Sequence, residues 1–169
     1  MEYTGPTDLY IGGEWREATN GDSIETEDPA TERTYASVQK AEASDIDAAV
    51  EAAQAAVAEG SEWATMDPGT RRAKLHAMAD AIEAMKDELS MVESHDNGKT
   101  PFEAGLEIDM VIDTFRHYAG WTDKVRGDEI PVENGRLNYT TREPVGVTAH
   151  IAPWNYPFQL AGRGLAPAL

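Results

Sequence analysis

Few side chains in this 169-residue chain are of a type that could do covalent or acid–base chemistry. There is no cysteine, which removes disulfides, thiolate metal sites and a catalytic thiol from consideration. The four histidines, His76, His95, His117 and His150, are scattered, and none has a partner at metal-ligand spacing, so they read as structural or surface residues. Glu103, Glu107, Asp109 and Asp113 recur at helical spacing and could imitate an acidic catalytic cluster, but a solvated acidic helix face explains them better. What remains gathers in Ile151-Ala152-Pro153-Trp154-Asn155-Tyr156-Pro157 and at Arg163, eight residues after Asn155. Taken alone, Asn155 is a neutral carboxamide that satisfies loop carbonyls after a strand, and Ile151, Ala152, Pro153 and Trp154 are packing at a strand end. Ligands of open α/β sheets nevertheless sit beyond such carboxyl ends. Met110 alone reads as core filler. Arg163 offers a planar fork suited to a carboxylate, or else is a solvated arginine on an exposed helix face.

Elements must carry these residues. Leu9-Tyr10-Ile11, Gly12-Gly13 and Glu14-Trp15 predict a short hairpin with a glycine turn, and Asp28-Pro29-Ala30-Thr31 a second turn before an extended run from Tyr35 to Val38. Ser44 is expected to cap a helix with Asp47 in its first turn, an apolar face of Ile46, Ala49, Val50, Ala53 and Val57, and an end near Gly60. Asp67-Pro68 opens the next helix, whose stripe of Leu75, Met78, Ile82, Met85, Leu89 and Val92 runs unbroken to a stop at Asn97-Gly98. Pro101 opens a third, with Leu106, Met110, Val111, Tyr118 and Trp121 on one side before Gly127. A second hairpin is expected around Glu133-Asn134-Gly135, then a buried strand from Val145 to Ile151 and a helix from Pro157 to Leu169. One strand and one helix do not close a βαβ unit, so the strand needs sheet neighbours from another chain or from residues not present here.

Two blocks in register carry a resemblance: Arg142-Glu143-Pro144-Val145-Gly146-Val147 running on to Pro153-Trp154-Asn155, and Arg116-His117-Tyr118-Ala119-Gly120-Trp121 with Gly127 and Ile130-Pro131. From about Tyr10 to Leu169 the chain resembles the N-terminal part of the NAD(P)-dependent aldehyde dehydrogenases. The resemblance implies an α/β fold: an N-terminal hairpin and helical region over 1–127, a projecting oligomerisation hairpin over 128–144, and the first strand and helix of an incomplete Rossmann domain over 145–169. In that family a cysteine thiolate attacks the aldehyde, the thiohemiacetal oxyanion passes a hydride to nicotinamide, and glutamate-activated water hydrolyses the thioester. The resemblance makes Asn155 the oxyanion donor and places Ile151, Ala152, Pro153, Trp154 and Asn155 along the NAD or NADP channel. It places Met110, Tyr156 and Leu160 in the substrate tunnel. Arg163 matches the arginine that holds the substrate carboxylate in relatives resembling succinate-semialdehyde dehydrogenase. The cysteine and glutamate segments are absent, so this chain is expected to be inactive alone. The rival expectation is a non-catalytic truncated or split subunit that binds a partner chain. For the complete enzyme the implied partners are a small aldehyde and further copies of itself.

Charge excludes other classes. The chain carries 31 acidic against 14 basic residues, a formal net charge of −17, which repels nucleic acid and anionic membranes. No signal peptide is visible at Met1–Trp15 and no apolar run reaches membrane-spanning length, which points to a cytoplasmic protein. A lysine-poor, acid-rich surface suits very high salt, where counterions screen self-repulsion; the alternative is an ordinary acidic protein. If the chain is salt-adapted, its helical circular dichroism falls as KCl is lowered from molar to millimolar. A signal unchanged over that range assigns it to the ordinary class.

Overall fold

The structure is a computed structural model that describes residues 3–169. Strands β1 (Leu9–Ile11) and β2 (Glu14–Arg16) form the expected hairpin, with Tyr10 opposite Trp15 and their rings 4.9 Å apart. A second antiparallel pair, β3 (Ser23–Asp28) and β4 (Arg33–Gln39), turns at Asp28, whose carboxylate accepts a 2.8 Å hydrogen bond from the Ala30 N–H.

Helix α1 (Ala43–Val57) starts earlier than Ser44 predicts. Its N-cap is Glu42, and Asp45, not Asp47, closes the capping box through a 2.9 Å bond from the Glu42 N–H. Asp45 wins because the Thr19 hydroxyl also bonds it, at 2.6 Å; that bond first, then the Glu42 N–H, holds its carboxyl below the usual range. The expected apolar face of α1 is largely open, with Ile46, Val50 and Val57 exposed. After the one-turn α2 (Glu62–Thr65), Asp67 caps α3 (Pro68–Ala84) as expected. The long helix to Asn97 does not form as one piece: Met85 leaves helical geometry, and α4 (Lys86–Asn97) starts anew. An apolar stripe is blind to such a break because Leu75, Ile82 and Leu89 on either side still pack on one core. Gly98 ends α4 in the left-handed conformation, φ 77°, where a Cβ would also lie 2.8 Å from the Pro29 ring.

Thr100 and Glu103 form a reciprocal capping box at the start of α5 (Pro101–Ala119). Its buried face is Ala104, Ile108, Val111, Ile112, Phe115 and Ala119, so of the expected side only Val111 is inside. Leu106, Met110, Tyr118 and Trp121 lie at the other end of that arc, exposed. The core forms where α5 meets α3 and α6 (Pro157–Ala168), with Leu75 and Ala79 from α3 and Ala166 from α6. α6 approaches α5 closely: a Cβ at Gly162 would stand 2.5 Å from a Val111 methyl carbon. Only glycine fits there, and any side chain would push the helices apart.

Between α5 and α6 the chain is open. Asn134 and Gly135, both at positive φ, turn the expected second hairpin, but it closes with a single bridge between Glu129 and Tyr139. The strand expected over Val145–Ile151 is not formed. That stretch is exposed, and among the described residues no other strand pairs with it, so its backbone groups have no ladder to join.

Candidate functional site

The turn Ala152–Tyr156 delivers the open segment into α6, with Pro157 at the first helical position where its missing N–H costs nothing. Ile151 is 95% and Trp154 83% exposed, and Ala152, Pro153 and Asn155 are exposed as well. These five residues are adjacent and present an apolar edge beside the N-terminus of α6. Asn155 is not the buried loop-satisfier that its type alone suggests. Among the described residues its carboxamide makes no hydrogen bond, while its carbonyl accepts one from Lys99 Nζ at 3.2 Å. Tyr156, Leu160 and Arg163 follow at a spacing that puts them on one side of α6, and Met110 is an exposed residue of α5. Arg163 is exposed and, among the described residues, makes no ion pair.

Sequence reasoning missed the group beneath the turn. Glu107 was expected on a solvated acidic face, yet it is buried, and the four carboxylates of that face part company. Glu103 caps α5, Asp109 pairs with Lys86 at 2.7 Å, Asp113 stays in solvent, and Glu107 points inward to Lys99 Nζ at 2.6 Å. Glu93 of α4 reaches the same ammonium at 3.0 Å. The three side chains are only 11% (Lys99), 7% (Glu93) and 5% (Glu107) exposed. The Tyr156 ring lies 4.7 Å from Lys99 Nζ, a cation–π contact that ties the group to the site. One signal was legible: Lys99 directly follows the helix-ending Asn97-Gly98 pair, where a cation favours the α4 C-terminus.

Burial wins at Glu93 and pairing wins at Lys99. Burial pushes the Glu93 carboxyl above its ordinary value despite the pull of Lys99, and Glu107 raises it further, first through a side-chain hydrogen bond and then by repulsion. The same burial opposes the charge on Lys99, but hydrogen bonds to Glu107 and Glu93 outweigh it and the ammonium is held more tightly than in free lysine. Glu107 Oε2 is buried without a hydrogen-bond partner among the described residues. Among these residues no group of three or more His, Asp or Glu side chains is arranged to hold a metal. His95 instead pairs with Asp28 at 3.3 Å, His117 accepts from the Trp121 indole at 3.1 Å, and His150 lies 2.9 Å from the Thr148 hydroxyl.

The sequence pattern of the aldehyde dehydrogenase family matches residues 15–169. Retinal dehydrogenase 2 of Homo sapiens is 40% identical over 165 residues, which are 96% of this chain and 32% of that protein. An NAD+ complex of aldehyde dehydrogenase from Bacillus cereus superposes with a TM-score of 0.93 at 40% identity, covering 97% of this chain and 33% of that one. Betaine aldehyde dehydrogenase from Staphylococcus aureus, also solved with NAD+, gives a TM-score of 0.91 at 33% identity over 96% of this chain and 32% of that one. The chain therefore belongs to the aldehyde dehydrogenase family, matches the N-terminal part of its structures, and spans about a third of the length of these relatives.

The Glu93 environment generates a pH prediction. Between the ordinary glutamate pKa of 4.5 and its raised native value, the folded protein holds this proton more tightly than the unfolded chain. Stability from this group therefore falls as pH rises through that window. Glu93→Gln removes the fall, so the difference in urea midpoint between variant and wild type should grow in the variant's favour as pH increases. Parallel profiles would contradict the burial assigned to Glu93.

Proposed function

We propose that, as a member of that family, this chain supplies the oxyanion donor and one wall of the cofactor channel in an enzyme that oxidises an aldehyde to a carboxylic acid with NAD or NADP. The observation that carries this is Asn155, whose carbonyl is pinned while its carboxamide N–H is left unengaged at a helix entrance. A neutral donor held in place before the reaction is typically worth about 2.7 to 4 kcal/mol at a developing oxyanion. The exposed apolar edge of Ile151, Ala152, Pro153 and Trp154 fits a flat, partly apolar ligand laid along it. The chemistry a bound NAD(P)+ supplies is hydride acceptance. With no cysteine among its residues, the chain offers a site for the oxyanion but not the nucleophile.

Met110, Tyr156 and Leu160 form the apolar side of the substrate path, and Arg163 meets the far carboxylate of a semialdehyde. The exposure of Arg163, without an ion-pair partner among the described residues, supports that role. We read residues 1–127 as the helical region, 128–144 as an oligomerisation hairpin and 145–169 as the start of the cofactor domain. The unpaired backbone of Val145–Ile151 supports that division, since it is open to sheet neighbours. The same open edge favours the rival reading, a non-catalytic subunit that docks on a partner chain. Among the described residues no helix is long and apolar enough to cross a membrane. The homo-oligomer is taken from the family resemblance of the 128–144 hairpin, and the net charge of −17 supports a salt-adapted protein that engages neither nucleic acid nor anionic membrane.

The test is an enzyme of family length made by joining residues 1–169 to the remaining two thirds of the Bacillus cereus aldehyde dehydrogenase. Asn155→Ala should lower kcat roughly 100- to 1,000-fold without loss of folding. An unchanged kcat would remove Asn155 from the chemistry. In the same enzyme Arg163→Ala should cost about one to two decades in kcat/KM for a semialdehyde and little for a neutral aldehyde of equal length. Equal losses for both substrates would show that Arg163 only supports the helix.

A further inference from the structure

The open segment is fastened to the helical layer by one short turn. Asn97-Gly98-Lys99 closes α4, and the left-handed Gly98 folds the chain back so that its two neighbours face the site. Asn97 donates from Nδ2 to the Trp154 carbonyl, and Lys99 donates from Nζ to the next carbonyl, that of Asn155. Consecutive carbonyls are thus held from the same turn: Asn97 fixes the peptide plane before Asn155 and Lys99 the plane after it, so the Asn155 backbone is held on both sides.

A surface lysine could not do this, because its long stem keeps about 2 kcal/mol of rotamer entropy that one hydrogen bond does not recover. Here the ammonium has three donors and three acceptors: Glu107 Oε1 at 2.6 Å, Glu93 Oε1 at 3.0 Å and the Asn155 carbonyl at 3.2 Å. The Tyr156 ring closes a further side at 4.7 Å. Two carboxylates from two different helices locate the nitrogen, and the nitrogen in turn locates the turn.

We propose that Lys99 is a positioning residue for Asn155: clamped by Glu93 and Glu107, its ammonium holds the Trp154–Tyr156 turn so that the Asn155 carboxamide stays aimed at the reacting oxygen. The catalytic half of this statement rests on the reading of Asn155 as oxyanion donor. The positioning half does not.

The experiment has two readouts. Lys99→Met alone strands two buried carboxylates, so the variant used is Lys99→Met with Glu93→Gln and Glu107→Gln, which removes the three charges together. In the 169-residue chain, backbone {1H}–15N heteronuclear NOEs at Trp154, Asn155 and Tyr156 should drop in this variant towards those of residues 145–151, with α5 unchanged. Should the triple variant not fold, Glu93→Gln gives the same change at smaller amplitude. Unchanged NOEs at the turn would overturn the proposal. In the joined enzyme the triple variant should lower kcat about 100-fold, the scale of a misplaced catalytic group. In an Asn155→Ala background it should change kcat less than about twofold, as expected of a residue acting through Asn155. Equal losses in both backgrounds would overturn the proposal, because the triad would then act elsewhere. An Asn155→Ala enzyme with wild-type kcat would instead defeat the oxyanion reading, leaving the relaxation data to decide whether Lys99 holds the turn.

Discussion

Keeping a lysine charged inside a protein requires carboxylates close enough to replace its water, and the region around the candidate site depends on that requirement. Taking an ammonium or a carboxylate out of water costs several kcal/mol per ion even after relaxation. At Lys99 three charged groups are withdrawn together, and the partners come from α4, α5 and the turn before α6. The arrangement is not optimised for stability: two carboxylates compete for one cation, one buried oxygen of Glu107 lacks a partner, and burial raises the Glu93 pKa. Such a cluster is better explained by what it holds in place than by what it adds to folding.

The helical layer supplies the rigid side of this arrangement. Phe115, Ile108, Val111 and Leu75 are buried where α5 meets α3 and α6, and Gly162 lets α6 lie against Val111. α6 is thereby anchored at its middle while its first residue, Pro157, follows directly from the held turn. Tyr156, Leu160 and Arg163 inherit their direction from that anchoring. The apolar surfaces left open, on α1, on the Leu106–Met110 side of α5 and along Val145–Ile151, are all on residues whose patterns promise burial.

Local signals were read well from sequence because their physics is local. The Gly-Gly hairpin, the Asp67-Pro68 and Pro101 helix starts, the Gly98 stop and the helix after Pro157 each depend on a few neighbouring backbone angles. The misses needed partners distant in sequence. Asp45 rather than Ser44 organises the start of α1 because Thr19 bonds it from 26 residues away. The break at Met85 leaves the apolar spacing intact, so periodicity does not register it. Val145–Ile151 has a buried strand's composition, but a strand exists only through its ladder. Glu107 was assigned to solvent from helical spacing, and only the fold shows that its face turns to Lys99. Of the candidate site, the run from Ile151 to Tyr156 was legible as a motif, whereas the residues that hold it were not.

Carboxylate pairing outweighs burial at Lys99, and the titration of its own nitrogen tests this most directly. In the 169-residue chain labelled with 15N at lysine Nζ, the Lys99 signal should lose its proton above the ordinary lysine value of 10.5. A Lys99 nitrogen that titrates below 10.5 would show a lysine desolvated without its counterions, and the account of the site built on it would fail.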